Sequence, residues 1–488
     1  MLDPFSLLPL ALAARGGTVD DFEIQQLVAA GLTLLQRSAP LVRSLRGKRA
    51  AILLPTSPAF FTALAACEGR GAVLINPLAA PPEILHQISD ASVGAVFTTR
   101  GLARGAPTGT PCVLLDDAPR SATVVVDGVS REIDLGSHVG LSLEGDADTP
   151  GSDEEAAIVY TSAMAGIPLG AILTHKNLLA NARSTAAAAQ NTSDDRVLAV
   201  LPFAHLFGLT VTAGAPLLAG GRVVTMAKFS PARAAELVAS GAITQIVGVP
   251  AVFRAMAAAI EKRGDGAGAL RLCICGGAPL SDAFQDRWAT LTGVELRQGY
   301  GLTEAGPVCL SNDVGAPNER GSLGRPLPGV EIDLRAPITY GASGLATESV
   351  DAHRDAEGEI CVRGANVFRG YVSGGERGLP IRDGWLHTGD LGRRDSAGNI
   401  HFAGVVKPMF TRNGFNVYPR EIERAVCEMS GVESARATQI ALPDRESEIA
   451  LEVTGSVTEE AVIQWCAQRL SAYKQPATVT LIPPAQSS

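Results

Sequence analysis

The sequence predicts an α/β protein: a large N-terminal domain of two packed α/β sheets plus a small β-barrel, followed by a small α+β C-terminal domain. Three observations predict it. Short apolar runs alternate with helical segments through the first 300 residues, short alternating segments replace them after Gly301, and a mixed helix and strand pattern runs from residue 407 onward. Short apolar strands separated by helices mark parallel, doubly wound sheets, whose strands are buried on both faces.

Taken in order, 22–45 carries apolar residues at helical spacing, and 49–55 (RAAILLP) is a buried strand feeding a helix around 60–69. The alternation repeats at 72–76 (AVLIN), the helical 82–90 and 95–99 (AVFTT). Residues 107–153, rich in Gly, Asp, Ser and Thr, read as connection and edge structure around the apolar run 112–115. A second series follows: strands at 197–201, 222–226, 243–249, 270–275 and 294–298, with helices near 209–218, 231–240, 251–263 and 280–291. From 321 to 402 the segments 330–334, 359–362 and 399–402 are separated by Gly, Pro and Asp turns, the pattern of a small antiparallel barrel or sheet. The last part has helices at 418–429 and 458–470 and strands near 437–441 and 449–454. The expected domains are 1–403, with a β-rich subdomain at about 311–403, and 404–488.

At 488 residues the chain is too long for one ordinary core, and with 46% apolar and 19% charged residues it is globular. A net charge of −9 argues against nucleic-acid or anionic-membrane surfaces, which want clustered Lys and Arg. Small-molecule partners are the expectation. The eight cysteines, scattered except for Cys273 and Cys275, read as buried reduced thiols and hence a cytoplasmic protein. The apolar 5–14 lacks a basic region and a cleavage site, and no run reaches the roughly 18 to 20 apolar residues of a membrane span. A homodimer is the base expectation.

Four stretches carry candidate chemistry. In 156–175 (AAIVYTSAMAGIPLGAILTH) a buried strand breaks into a loop of small residues and then resumes, a form that leaves amide N–H groups open to a phosphate or simply makes a turn. Gly276-Gly277-Ala278-Pro279 follows an apparent strand, where a flat ligand could lie on the backbone. Tyr300-Gly301-Leu302-Thr303-Glu304 puts an aromatic face, a hydroxyl and a carboxylate on one short loop. In Trp385-Leu386-His387-Thr388-Gly389-Asp390, a single aspartate follows a glycine turn and could accept two ribose hydroxyls.

In this order, the stretches resemble the adenylate-forming superfamily, specifically its fatty-acyl and aryl CoA synthetases, over nearly the whole chain. The resemblance makes 160–175 the phosphate loop, with Thr161, Ser162, Gly166 and Gly170 at the nucleotide, and 276–280 the adenine turn. It places Tyr300 and Gly301 near the adenine, Thr303 at the α-phosphate, Glu304 on Mg²⁺ and Asp390 on the ribose. YGLTEAGPV at 300–308 favours the acyl and aryl CoA branch, as do LPFAH at 201–205 and VPAVFR at 249–254. His205, Phe203, Val249 and Phe253 would wall an acyl pocket, and Lys407 would be the hinge next to NGFNVYPREIE at 413–423. The implied reaction joins an apolar carboxylic acid to ATP, releasing pyrophosphate, and then passes the acyl group to coenzyme A or a carrier-protein thiol.

The chain also departs from that pattern. The family loop TSGTTGxPKG is here TSAMAGIPLG: Ala163, Met164 and Ala165 replace a glycine and two hydroxyls, and Leu169 replaces the lysine. Val405 stands for a nucleotide-contacting arginine and Pro408 for an aspartate. After YKQP at 473–476 the sequence stops at Ser488, short of the family's PxxxxGK lysine, for which Lys474 is no substitute. Two expectations therefore stand: a synthetase impaired in adenylation, or a non-catalytic or half-reaction protein that binds acyl or adenylate ligands or a protein partner.

Overall fold

The structure is a computed structural model, describing residues 6–67, 70–136, 151–161, 168–264, 266–312, 314–340, 346–349, 357–373, 380–406, 409–412, 415–440, 442 and 447–482. A nine-stranded sheet runs in the order Gly370–Tyr371, Leu169–Thr174, Glu155–Thr161, Ala72–Leu74, Arg49–Leu53, Val93–Thr98, Cys112–Leu115, Ser121–Val126 and Val129–Asp134. Its centre is parallel and its edges antiparallel. Within Arg49–Leu53, Ala50 and Ile52 enter one core while Ala51 and Leu53 enter another, as the two-residue period of a strand buried on both faces requires. Helix Pro81–Asp90 covers the latter face with Ile84 and Ile88.

A second sheet is parallel from Thr18–Val19 through Arg222–Thr225, Arg196–Ala199, Gln245–Gly248 and Leu272–Cys275 to Leu296–Gly301. It then turns antiparallel through Val308–Ser311, Ser322–Pro326, Ile400–Val405, Trp385–Arg394 and Glu357–Gly364 to Val330–Arg335. The β-rich run after Gly301 is thus continuous with this sheet. Helices Pro231–Ala239, Pro250–Arg263 and Asp282–Thr292 share one core with it, in which Phe253 and Trp288 meet edge to face at 4.9 Å. Another core draws on both sheets and holds Phe60, Phe61 and Phe203.

The chain beyond residue 409 has its own core, built from Phe410, Ile422, Leu451, Val462 and others. Strands Val432–Ile440, Glu448–Gly455 and Thr478–Ile482 form its sheet, packed by helices Pro419–Cys427 and Glu459–Arg469. It is fastened to helix Pro81–Asp90 by the buried Lys474, whose Nζ lies 2.8 Å from Glu83 Oε1 and 2.5 Å from Glu421 Oε1. Burial alone would lower the Lys474 pKa, but the two carboxylates outweigh it and keep the ammonium charged. None of the eight cysteines is in a disulfide. No described helix is long and apolar enough to cross a membrane.

Candidate active site

Strand Leu296–Gly301 is the pivot of the site. Its first half pairs in parallel with Leu272–Cys275 and its second half antiparallel with Val308–Ser311, so the sheet changes direction beside Tyr300. The strand expected at 294–298 therefore runs on to Gly301, and Tyr300 is a strand residue rather than a loop residue. Ligand clefts in open α/β sheets form outside the carboxyl ends of strands, where neighbouring segments diverge.

Two cavities meet there. One, of about 360 Å³, is mainly apolar and is lined by Val200, Val211, Phe229, Val249, Val252 and Ile274, among others. The other, of about 980 Å³, is more polar and includes Thr161, Gly277, Ala278, Pro279, Glu304 and Asp390. Both are bordered by His205, Tyr300, Gly301, Thr303 and Phe415. Phe415 belongs to the C-terminal module; its ring stacks on Tyr473 at 4.3 Å and meets His205 edge-on at 6.0 Å.

The polar cavity contains two hydrogen-bonding centres. The Tyr300 hydroxyl donates to Asp390 Oδ2 at 2.6 Å, and burial followed by the Asp390 charge pushes the phenol pKa well up, so it stays a donor. Glu304 Oε1 accepts from the Thr161 hydroxyl at 3.1 Å and from the Tyr371 hydroxyl at 2.9 Å. The turn Thr303–Ala305 is clamped: Phe368 N–H donates to Glu304 O at 2.9 Å and Asn366 Nδ2 to Ala305 O at 2.8 Å. Asn177 secures that clamp from helix His175–Ala188, donating to Ala365 O and Val367 O at 2.8 Å each. The same asparagine closes a capping box with Thr174, which starts the helix directly after strand Leu169–Thr174.

Other candidates fall elsewhere. Phe203 packs against Phe60 and Phe61, and Phe253 is fully buried against Trp288; neither lines either of these two cavities, because these large aromatic rings fill the cores. Gly170 also lines neither. A Cβ there would come within 2.9 Å of the Tyr160 ring and 3.0 Å of Ile158, so its smallness serves strand packing. Gly276 borders the apolar cavity. Ser162, Ala163, Met164, Ala165, Gly166, Lys407 and Pro408 lie outside the described residues.

Leu169 pairs with Thr161 in register and lines the polar cavity, while Val405 pairs with Asp390 and lines it too. Thus two positions where the family pattern has cations present apolar side chains to the polar cavity. Tyr371 and Phe415 were not identified as site residues from sequence. Neither sits in a stretch whose spacing marks a ligand, and each reaches the site only through tertiary packing.

A family model described as AMP-binding enzyme matches residues 42–372. Feruloyl-CoA synthase from Amycolatopsis sp is 32% identical over 464 residues, covering 91% of this chain and 88% of that one. A long-chain-fatty-acid–CoA ligase from Escherichia coli O157:H7 is 28% identical, covering 89% and 82% respectively. A solved malonyl-CoA ligase, a ternary product complex with methylmalonyl-CoA and AMP bound, superposes with a TM-score of 0.75 at 26% identity and covers all of both chains. The chain belongs to the AMP-binding enzyme family.

Proposed function

We propose that this protein is an AMP-forming acid–thiol ligase of the acyl-CoA synthetase type, acting on an apolar fatty or aromatic carboxylic acid. The observation that carries this reading is the junction of the two cavities at Tyr300, Gly301 and Thr303. An acid whose body occupies the apolar cavity can present its carboxylate to a nucleotide in the polar one. Holding two reactants in line supplies most of what phosphoryl chemistry needs.

In this reading Gly277, Ala278 and Pro279 border the adenine, Asp390 accepts the ribose hydroxyls, and Thr303 donates to the α-phosphate. The carboxylate oxygen attacks the α-phosphorus and pyrophosphate leaves; a thiol then attacks the acyl carbon and AMP leaves. Coenzyme A is the favoured thiol, with a carrier-protein thiol as the alternative.

The donor set around Glu304 is all oxygen, from a carboxylate and the Thr161 and Tyr371 hydroxyls, which suits Mg²⁺. Glu304 would hold the ion, which when bound would neutralise phosphate charge. His205 borders both cavities; burial pushes its imidazole down to about 4, so it faces the acid as a neutral group. We place the mobile C-terminal domain after strand Ile400–Val405, later than the expected start at 404, with Lys407 as its hinge.

A second reading rests on Leu169 and Val405. With these side chains at the cavity, the protein would accept a preformed acyl-adenylate and complete only thioester formation. Mass-spectrometric detection of thioester separates the two. ATP, Mg²⁺, coenzyme A and a panel of fatty and aromatic acids yield product on the first reading, whereas only supplied acyl-AMP does so on the second. Failure of both would leave a binding protein.

A further inference from the structure

Behind Asp390 lies a carboxylate that the reaction outlined above does not use. Glu359 is fully buried on strand Glu357–Gly364, which pairs with strand Trp385–Arg394. The register between them is interrupted. Glu359 stands opposite Leu391, yet Cys361 stands opposite His387, so Ile360 alone faces three residues and the segment Thr388-Gly389-Asp390 bulges from the ladder. Gly389 has φ +82°, a conformation that other residues rarely adopt.

A bulge leaves buried backbone groups without ladder partners, and they must be satisfied otherwise. Glu359 supplies that need. Its Oε1 accepts the Gly389 N–H at 2.7 Å, and its Oε2 accepts from His387 Nδ1 at 2.8 Å. Thr388 Oγ1 donates to Ile360 O at 2.8 Å and accepts the Asp390 N–H at 3.1 Å. Cys361 Sγ is 3.4 Å from the same His387 nitrogen, but burial and then the Glu359 charge push the thiol pKa up, so it remains protonated. With Nδ1 bonded to Oε2 and the thiol beside it, the trio forms a hydrogen-bonded support beneath the bulge.

We propose that Glu359 is a positioning residue for nucleotide recognition: by holding the Gly389 amide and His387 it shapes the bulge that aims Asp390 at the ribose. The proposal rests on the reading of Asp390 as the ribose acceptor. The test compares calorimetric binding of AMP and 2′,3′-dideoxy-AMP, which lacks both ribose hydroxyls, to the full chain and its variants. Asp390→Ala is expected to abolish the preference for AMP. Glu359→Ala is expected to cut it about tenfold, and Glu359→Gln, which keeps an acceptor for one donor only, about threefold.

A purely structural role would weaken both ligands equally and leave the preference intact. Should Glu359→Ala not fold, Glu359→Gln decides: an unchanged preference in it, alongside a lost preference in Asp390→Ala, overturns the proposal. If Asp390→Ala itself keeps the wild-type preference, the ribose reading fails instead.

Discussion

The Tyr371 hydroxyl donates a 2.9 Å hydrogen bond to Glu304, joining the edge strand Gly370–Tyr371 of one sheet to the turn that follows the pivot strand of the other. The contact spans the seam between the sheets and fixes the carboxylate proposed to hold Mg²⁺. Hydrogen bonds to charged groups contribute roughly 1.5–3 kcal/mol. Tyr371→Phe is therefore expected to lower acid-dependent turnover by about tenfold or more while leaving the melting temperature near wild type. Steady-state kinetics beside a thermal melt checks this, and unchanged turnover would show that Glu304 needs no such anchor.

That contact also shows how far the sequence could be read. The strand and helix alternation, the two sheets and the motif residues Thr303, Glu304 and Asp390 were legible because period and local motif carry them. Tyr371 and Glu359 were not: each acts through partners far away in the chain, 67 residues for Tyr371 and Glu304 and 30 for Glu359 and Gly389. Phe203 and Phe253 line neither of the two cavities for a related reason. An apolar motif does not say which of its side chains faces a cavity and which faces the core, and here the smaller Val249 and Val252 face the cavity.

Leu169 offers a direct test of the phosphate side. It lines the polar cavity opposite Thr161, so Leu169→Lys restores a cation where β- and γ-phosphates would lie. One charge-assisted contact of about 1.5 kcal/mol corresponds to roughly tenfold. Calorimetry should show ATP binding about tenfold tighter and AMP binding unchanged. Equal effects on both nucleotides, or none, would mean that the phosphates do not reach this strand.

Lys474 joins the C-terminal module to helix Pro81–Asp90 through Glu83 and Glu421. Removing it leaves the buried Glu421 and the largely buried Glu83 facing each other without a cation, and breaking a buried pair in this way costs about 3–5 kcal/mol. Lys474→Ala should lower unfolding stability by that order and expose the module to limited proteolysis. A loss below about 1 kcal/mol in denaturant titration would show that the triad contributes little to docking.

Stability should also fall in mild acid. His175 and His205 are both pushed down to about 4 by burial, and each Nδ1 accepts a backbone N–H, from Leu8 at 3.0 Å and Phe207 at 3.3 Å respectively. An unfolded histidine titrates near 6.5. Between about 6.5 and 4 the unfolded chain binds the additional protons, so the stabilisation is complete above pH 6.5 and declines as pH falls toward 4. Urea midpoints at pH 7.5 and pH 5 should differ, and His175→Gln should shrink that difference. An equal difference in the variant would remove His175 from the account.

Acid-dependent pyrophosphate release shows whether this cleft adenylates an apolar acid. Wild-type protein with ATP and Mg²⁺ should release pyrophosphate with at least one fatty or aromatic acid, well above a Glu304→Ala control. Release no greater than that control across the whole acid panel, from protein that still binds AMP, would contradict the claim.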